Sequence, residues 1–206
     1  MTDDATTAGR GRPREFDPDE ALDQVLQVFW EKGYEATSVA DIVEATGLNK
    51  SSIYNEFGSK DALYEKALER YMQARLSLLT DLLGNGTGGL DDVTTLLDFM
   101  REEAAGDVGR MGCFAVNDAA EFGASSARAR ATSRRWRTGV REAITCALTR
   151  AEDLGEIPPG SAATYAGVFV PWMLGMSVVA RGGADQSEVD EVFAAARDLL
   201  EQLRVS

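Results

Sequence analysis

The sequence predicts an all-α protein. Apolar residues recur at the i, i+3, i+4, i+7 spacing of a helix face along nearly the whole chain. No segment keeps the alternation of a half-buried strand, and no Asn-Gly hairpin lies between β-branched runs. Capping residues and glycines also punctuate the apolar stripes where helices begin and stop. With 206 residues, 44% apolar and 27% charged, the chain can form a substantial core in one large domain or two smaller ones.

Each helix has its own signal. Asp17-Pro18 is a capping carboxylate followed by a proline where the missing N–H costs nothing. The stripe Leu22, Val25, Leu26 and Phe29 follows and stops at Gly33. Ser38 caps a short helix bearing Val39, Ile42 and Val43, which Gly47 breaks. Leu48 plugs the turn, and Asn49 caps a second short helix whose Ile53 and Phe57 point inward. Beyond Ser59 a long helix carries Leu63, Ala67, Leu68, Tyr71, Met72, Leu76, Leu79 and Leu83 on one face. The run Gly84-Asn85-Gly86-Thr87-Gly88-Gly89 ends it; with no Lys-Ser or Lys-Thr after it, this is no phosphate-binding loop. Val93, Leu96, Leu97 and Met100 mark the next helix. Trp136, Val140, Ile144, Leu148, Ala151 and Leu154 mark a longer one, closed by Gly155 and Pro158-Pro159. Val189, Val192, Phe193, Ala196, Leu200 and Leu203 mark the last.

The uncharged stretch from Ala162 to Ala180 has almost the length needed to cross a bilayer. Its Thr164, Tyr165, Gly167, Pro171, Gly175 and Ser177, and its alanine content, read instead as a helix buried on two sides in a soluble protein. The first residues, Met1 to Glu15, lack the apolar core of a signal peptide, and the expected location is cytoplasmic, with no membrane partner.

Composition narrows the chemistry. The charge sum is 21 − 34 = −13, so composition alone does not suggest a nucleic-acid partner. The chain contains no histidine, which excludes His-ligated zinc, Ser-His-Asp and Cys-His catalysis and any imidazole base. Cys113 and Cys146 are too few for a disulfide framework and fit a reducing compartment. No catalytic set, metal site or cofactor is expected.

The most informative segment is Thr37 to Phe57. Two short helices joined by a tight glycine turn form a helix-turn-helix, whose second helix enters the DNA major groove with its N-terminal residues leading. Here those residues are Lys50, Ser51 and Ser52, with Tyr54 and Asn55 on the outward side. A lysine and two hydroxyls at a helix N-terminus suit phosphates, since the free N–H groups already favour anions. A plain helical hairpin would account for the apolar positions but not for the small polar residues.

At these residues the chain resembles the TetR (tetracycline repressor) family of bacterial transcription regulators. The resemblance spans about residues 14 to 65 and rests on Phe29-Trp30-Glu31-Lys32-Gly33-Tyr34-Glu35-Ala36-Thr37-Ser38, on Gly47-Leu48, on Ser51-Ser52-Ile53-Tyr54 and on Phe57-Gly58-Ser59-Lys60-Asp61-Ala62-Leu63. A weaker likeness continues through Gly112-Cys113-Phe114-Ala115-Val116-Asn117, Gly182-Gly183-Ala184-Asp185 and the closing helix. It implies an N-terminal three-helix DNA-binding domain and a C-terminal helical bundle for effector binding and dimerisation. The expected bounds are an arm over 1–15, a helix-turn-helix domain over 16–62 and an effector domain over 63–206. It implies a homodimer released from a palindromic double-stranded operator by a small molecule, with Thr37, Ser38, Tyr54 and Lys60 on the DNA backbone. The full expected DNA set is Thr37, Ser38, Asn49, Lys50, Ser51, Ser52, Tyr54, Asn55 and Lys60. Position 56 departs from the family, with Glu56 where many relatives carry histidine. Residues 1–75 hold 9 basic against 15 acidic side chains, so attraction must come locally from Lys50, Lys60 and an arm with Arg10, Arg12 and Arg14. That arm reads equally as a solvated tail.

The C-terminal half offers a set of residues for a small, largely apolar or aromatic effector: Phe99, Cys113, Phe114, Asn117, Trp136, Phe169, Trp172 and Met176. Ordinary core packing is the alternative for most of them. The dimer seam is expected on Val168, Gly175, Val189, Phe193, Ala196 and Leu200, because the uncharged helix has one face more than its own subunit can cover. Arg130, Arg134, Arg137 and Arg141 form a basic stripe, read as a solvated face. Two other readings stay open at this stage: a thiol or electrophile sensor acting through Cys113 on the same scaffold, and a helical adaptor that no longer binds DNA.

Overall fold

A computed structural model describes residues 16–84 and 88–205. The arm with Arg10, Arg12 and Arg14 lies outside the described residues. Within them the chain forms ten α-helices and no strand.

Helix α1 (Pro18–Lys32) starts as the sequence dictates: Asp17 accepts the Asp19 N–H and Pro18 occupies the first turn. It buries Ala21, Val25, Leu26, Phe29 and Trp30, while Leu22 is only half-buried. Helices α2 (Val39–Thr46) and α3 (Lys50–Phe57) follow. Helix α4 (Lys60–Gly84) then runs 25 residues without a break, across the expected 62/63 boundary. Its first turns bury Leu63, Tyr64, Ala67 and Leu68 on the α1 side, and its later turns carry Tyr71, Met72, Leu79 and Leu83 into the C-terminal core. One helix thus serves both parts of the molecule.

The remaining helices are α5 (Leu90–Ala105), α6 (Asp107–Met111), α7 (Phe114–Phe122), α8 (Ala127–Asp153), α9 (Ala162–Arg181) and α10 (Gln186–Gln202). Helix α8 begins well before the Trp136 stripe, because its first buried positions are the small Ala129, Thr132 and Ser133. Leu154, expected to continue that stripe, is exposed. Helix α9 lies chiefly on α8, and α10 on α5.

An aromatic cluster sits between the two halves. Tyr64 makes edge contacts with Phe29, Tyr34, Phe114 and Phe122 at centroid distances of 5.1, 5.1, 5.4 and 6.1 Å. Such edge-to-face geometry adds about 0.5–1.5 kcal/mol per pair to the area buried. Beside it Asp118, fully buried, accepts from the Arg128 guanidinium at 2.8 Å, and that guanidinium lies over the Tyr64 and Phe122 rings. At the opposite end Arg150 of α8 donates to the Leu83 carbonyl and to Asp92, tying the end of α4 to the start of α5.

Gly89 makes that closure possible. A Cβ there would lie 2.3 Å from the Ala151 Cα and 2.6 Å from its amide nitrogen. Gly89→Ala should therefore force α5 away from α8 and lower stability by about 1–3 kcal/mol in thermal or urea unfolding. Gly84→Ala, whose Cβ would meet only the Thr80 methyl at 3.8 Å, should be neutral or mildly stabilising. Equal stability of the two variants would sink this account of the α5–α8 contact.

Candidate nucleic-acid interface and the cavity behind it

Local hydrogen bonds set the α2–turn–α3 unit. The Ser38 hydroxyl oxygen accepts the Asp41 N–H at 3.2 Å, and the Asp41 carboxylate accepts the Ser38 N–H at 2.7 Å, a reciprocal capping box. Lys32 also donates to Asp41 at 2.6 Å; this bond and those from Ser38 hold the Asp41 carboxyl well below the usual range. Gly47, at φ +65°, takes the left-handed conformation that ends α2. Asn49 then accepts the Ser52 N–H at 2.8 Å and the Ser51 hydroxyl at 2.6 Å. With Ile53 and Phe57 buried, α3 turns Lys50, Ser51 and Asn55 outward; Ser52 and Tyr54 are half-buried beside them.

Charge on this face is sorted by pairing. Lys50 sits 5.7 Å from the Tyr54 ring centroid, Lys60 4.2 Å above Tyr34 and Lys66 5.5 Å from Phe57. None of these three ammonium groups has an ion-pair partner among the described residues. Several acids of α1 and α4, by contrast, are engaged. Arg70 binds Asp19 and Asp23, and the Tyr34 hydroxyl donates to Asp61, which pushes the Tyr34 pKa up to about 12. Lys66 was not among the residues expected from the sequence, because nothing marks it out within the run of α4. The geometry gathers it at the C-terminal end of α3.

Two expected backbone contacts are placed differently. Thr37 is buried, with its hydroxyl donating to the Gly33 carbonyl at 2.6 Å and its N–H to Tyr34; no phosphate can reach that side chain. Ser38 is exposed, but its hydroxyl proton and its N–H both go to Asp41. Both residues build the entry to α2. In the basic stripe of α8, Arg130 donates to the Gly123 and Ala124 carbonyls and Arg137 to Ser133; all four arginines are exposed.

Behind the helix-turn-helix the two halves touch through directed bonds. The Trp30 indole of α1 donates to the Gly112 carbonyl at 2.9 Å. Glu121 of α7 accepts the backbone N–H groups of Tyr34 and Glu35 at 3.3 and 3.0 Å. The Arg75 guanidinium lies 5.9 and 5.8 Å from the Trp30 and Tyr71 rings and makes two bonds to Glu103, at 2.7 and 2.8 Å.

Gly112, Arg75 and Glu103 also line a half-open cavity of about 140 Å³. Phe99, Cys113, Trp136 and Met176 line it, together with Tyr71 and Phe193. The other expected effector residues lie elsewhere. Phe114 packs inside the Tyr64–Tyr71 aromatic cluster, and Asn117 donates to the Met111 carbonyl at 2.9 Å. Phe169 meets Trp172 at a tilt and Trp172 meets Phe193 edge-on, toward α10. Burial holds the Cys113 thiol pKa up.

The expected dimer seam divides in the same way. Val189, Phe193, Ala196 and Leu200 are buried within their own subunit, where α10 meets α5, so they are core and not seam. The α9 helix covers only one of its two sides. Ala162, Ala166, Val170, Met176 and Ala180 are buried, while Val168 at 70%, Val178 at 56% and Gly175 face outward. This helix is long and apolar enough to cross a membrane by length and composition.

The model of the family described as bacterial regulatory proteins, tetR family, matches residues 21–67. The HTH-type transcriptional repressor ComR of Escherichia coli is 30% identical over 198 residues, covering 94% of this chain and 93% of the relative. Among solved structures, a TetR transcriptional regulator from Chloroflexus aurantiacus superposes with a TM-score of 0.80 at 25% identity, covering 91% of this chain and 96% of its own. A cysteine mutant of the TetR-family regulator CifR, complexed with 26-bp double-strand operator DNA, gives 0.79 at 27% identity, with coverage of 90% and 97%.

On this geometry Lys60→Ala should weaken DNA binding alike for all sequences and flatten the slope of log K against log salt by about one unit. Fluorescence anisotropy at several salt concentrations measures both quantities. An unchanged slope would remove Lys60 from the interface.

Proposed function

This chain belongs to the TetR family of bacterial regulatory proteins, and from that premise we propose a dimeric repressor whose hold on operator DNA breaks when a small apolar molecule fills the α4–α9 cavity. It is a DNA-binding transcriptional regulator. Lys50, Lys60 and the first turn of α3 meet the phosphates, and Asn55 and Tyr54 lie nearer the base edges. One observation carries the coupling: the cavity wall is bonded to the DNA-binding unit, through Trp30 to Gly112 and through Arg75 stacked over Trp30. A ligand that favours a different placement of that wall shifts α1, and with it the recognition helix.

The two other readings are not favoured. A sensor thiol works as the thiolate, and desolvation raises the Cys113 thiol pKa, which works against that form. An adaptor without DNA affinity has no need of an outward Lys50 at the start of the recognition helix, and the CifR relative is seen on operator DNA.

Dimerisation is assigned to the outward face of α9, Val168, Pro171, Gly175 and Val178, with the exposed Leu199 of α10 nearby in the same C-terminal part. An uncharged stripe of this kind needs an apolar partner, and a two-fold copy would set two recognition helices at the spacing of a palindromic site.

Two measurements test these proposals. Ala104→Phe places a ring in the cavity from α5 and should lower operator affinity by about tenfold with the fold intact. Adding Trp30→Phe, which deletes the bond to Gly112, should restore most of that loss. Wild-type affinity in Ala104→Phe would refute the coupling. For the dimer, Val168→Asp should yield a folded monomer with little operator binding, whereas Phe193→Asp should unfold the subunit itself. A Val168→Asp protein that stays dimeric by sedimentation would move the seam elsewhere.

A further inference from the structure

The first two residues of α4 carry opposite demands. Asp61 lies in the first turn, where an acid suits the positive end of the helix dipole. Lys60, next to it in sequence, is the cation the interface needs against phosphate, and phosphate is what an acid repels. A carboxylate free to swing here would pair with the ammonium and occupy it. The two groups go instead to different parts of one side chain. Asp61 accepts the hydroxyl of Tyr34, and the Lys60 ammonium rests 4.2 Å from the centroid of the same ring. A ring face attracts an ammonium without cancelling its charge; a carboxylate cancels it.

Tyr34 is well placed to hold both. Its ring meets Phe29, Tyr64 and Phe122 at centroid distances of 6.3, 5.1 and 5.5 Å, and its N–H donates to Glu121 at 3.3 Å. With its pKa pushed up to about 12, chiefly by the bond to Asp61, the hydroxyl stays a donor throughout the neutral range. We propose that Tyr34 is a positioning residue for DNA binding: its hydroxyl keeps Asp61 off Lys60, and its ring face presents the ammonium, still charged, to a phosphate. The inference rests on the reading of Lys60 as a phosphate contact. It also puts two residues of α7, Glu121 and Phe122, behind that contact, because they fix where Tyr34 stands.

The probe is a labelled duplex selected from a random-sequence pool by retention on the purified full-length protein. Anisotropy over a range of salt concentrations gives affinity and salt slope, and urea unfolding of each variant separates lost binding from lost fold. Tyr34→Phe keeps the ring and deletes only the hydroxyl. It should bind about threefold to tenfold more weakly than wild type and flatten the slope of log K against log salt by up to about one unit. In a Lys60→Ala background the same change should cost nothing further, because no ammonium is left to occupy. Asp61→Asn should restore the affinity of Tyr34→Phe, yet gain little beside an intact Tyr34. Wild-type affinity and slope in Tyr34→Phe would overturn the inference. So would a loss of equal size with Lys60 already gone, which would leave Tyr34 a structural residue only. If Lys60→Ala itself leaves the slope unchanged, the phosphate contact fails first, and Tyr34 has nothing to position.

Discussion

Everything in this molecule turns on α4 running through both ends of one continuous core. Leu63, Tyr64, Ala67 and Leu68 close the DNA-binding unit against α1, and a few turns later Tyr71, Leu79 and Leu83 lie in the C-terminal bundle. A 25-residue helix without an internal proline or glycine has no cheap place to bend. Displacement of its second half must therefore appear in its first half. The Arg75 guanidinium strengthens the link, since it is stacked on Trp30 of α1 and held in the fork of Glu103 from α5. Arg suits this position because its plane packs on rings while its edge binds a carboxylate; Lys can do only part of either.

The chain shows how a protein of net charge −13 can still meet a polyanion. The relevant quantity is the field at one face. Arg70 draws Asp19 and Asp23 onto α4, Asp41 is bound by Lys32 and the α2 cap, and Asp61 takes the Tyr34 hydroxyl. Three lysines are left beside aromatic rings, which orient an ammonium without neutralising it.

Much of this was legible in the sequence, and the failures have a common cause. Asp17, Ser38, Gly47 and Asn49 act within a few residues of themselves, so each cap and turn could be read one at a time. Features that depend on which helix meets which could not. The stripe Val189, Phe193, Ala196 and Leu200 was visible as an apolar face, but periodicity cannot say whether that face meets α5 or a second copy. Arg75 and Glu103 look like ordinary charged positions on two separate helices, and only packing makes them a cavity wall. Thr37 misled because its hydroxyl, which suits a phosphate, suits the Gly33 carbonyl equally well. The first turns of α8 went unread because alanine, threonine and serine can be buried without forming a stripe.

Glu121 carries a consequence for how such proteins diversify. Its carboxylate caps the backbone of Tyr34 and Glu35, so a residue of α7 helps to fix where the helix-turn-helix begins. The Gly112 carbonyl does the same for Trp30. The DNA-reading module thus takes part of its shape from residues some 80 positions downstream in the chain. Grafting its first 60 or so residues onto a relative's bundle would transplant the recognition surface without its supports. A recipient bundle would have to offer a carboxylate and a free carbonyl at the same two places, which makes the junction, more than the operator-reading face, the place where such a graft of this chain is decided.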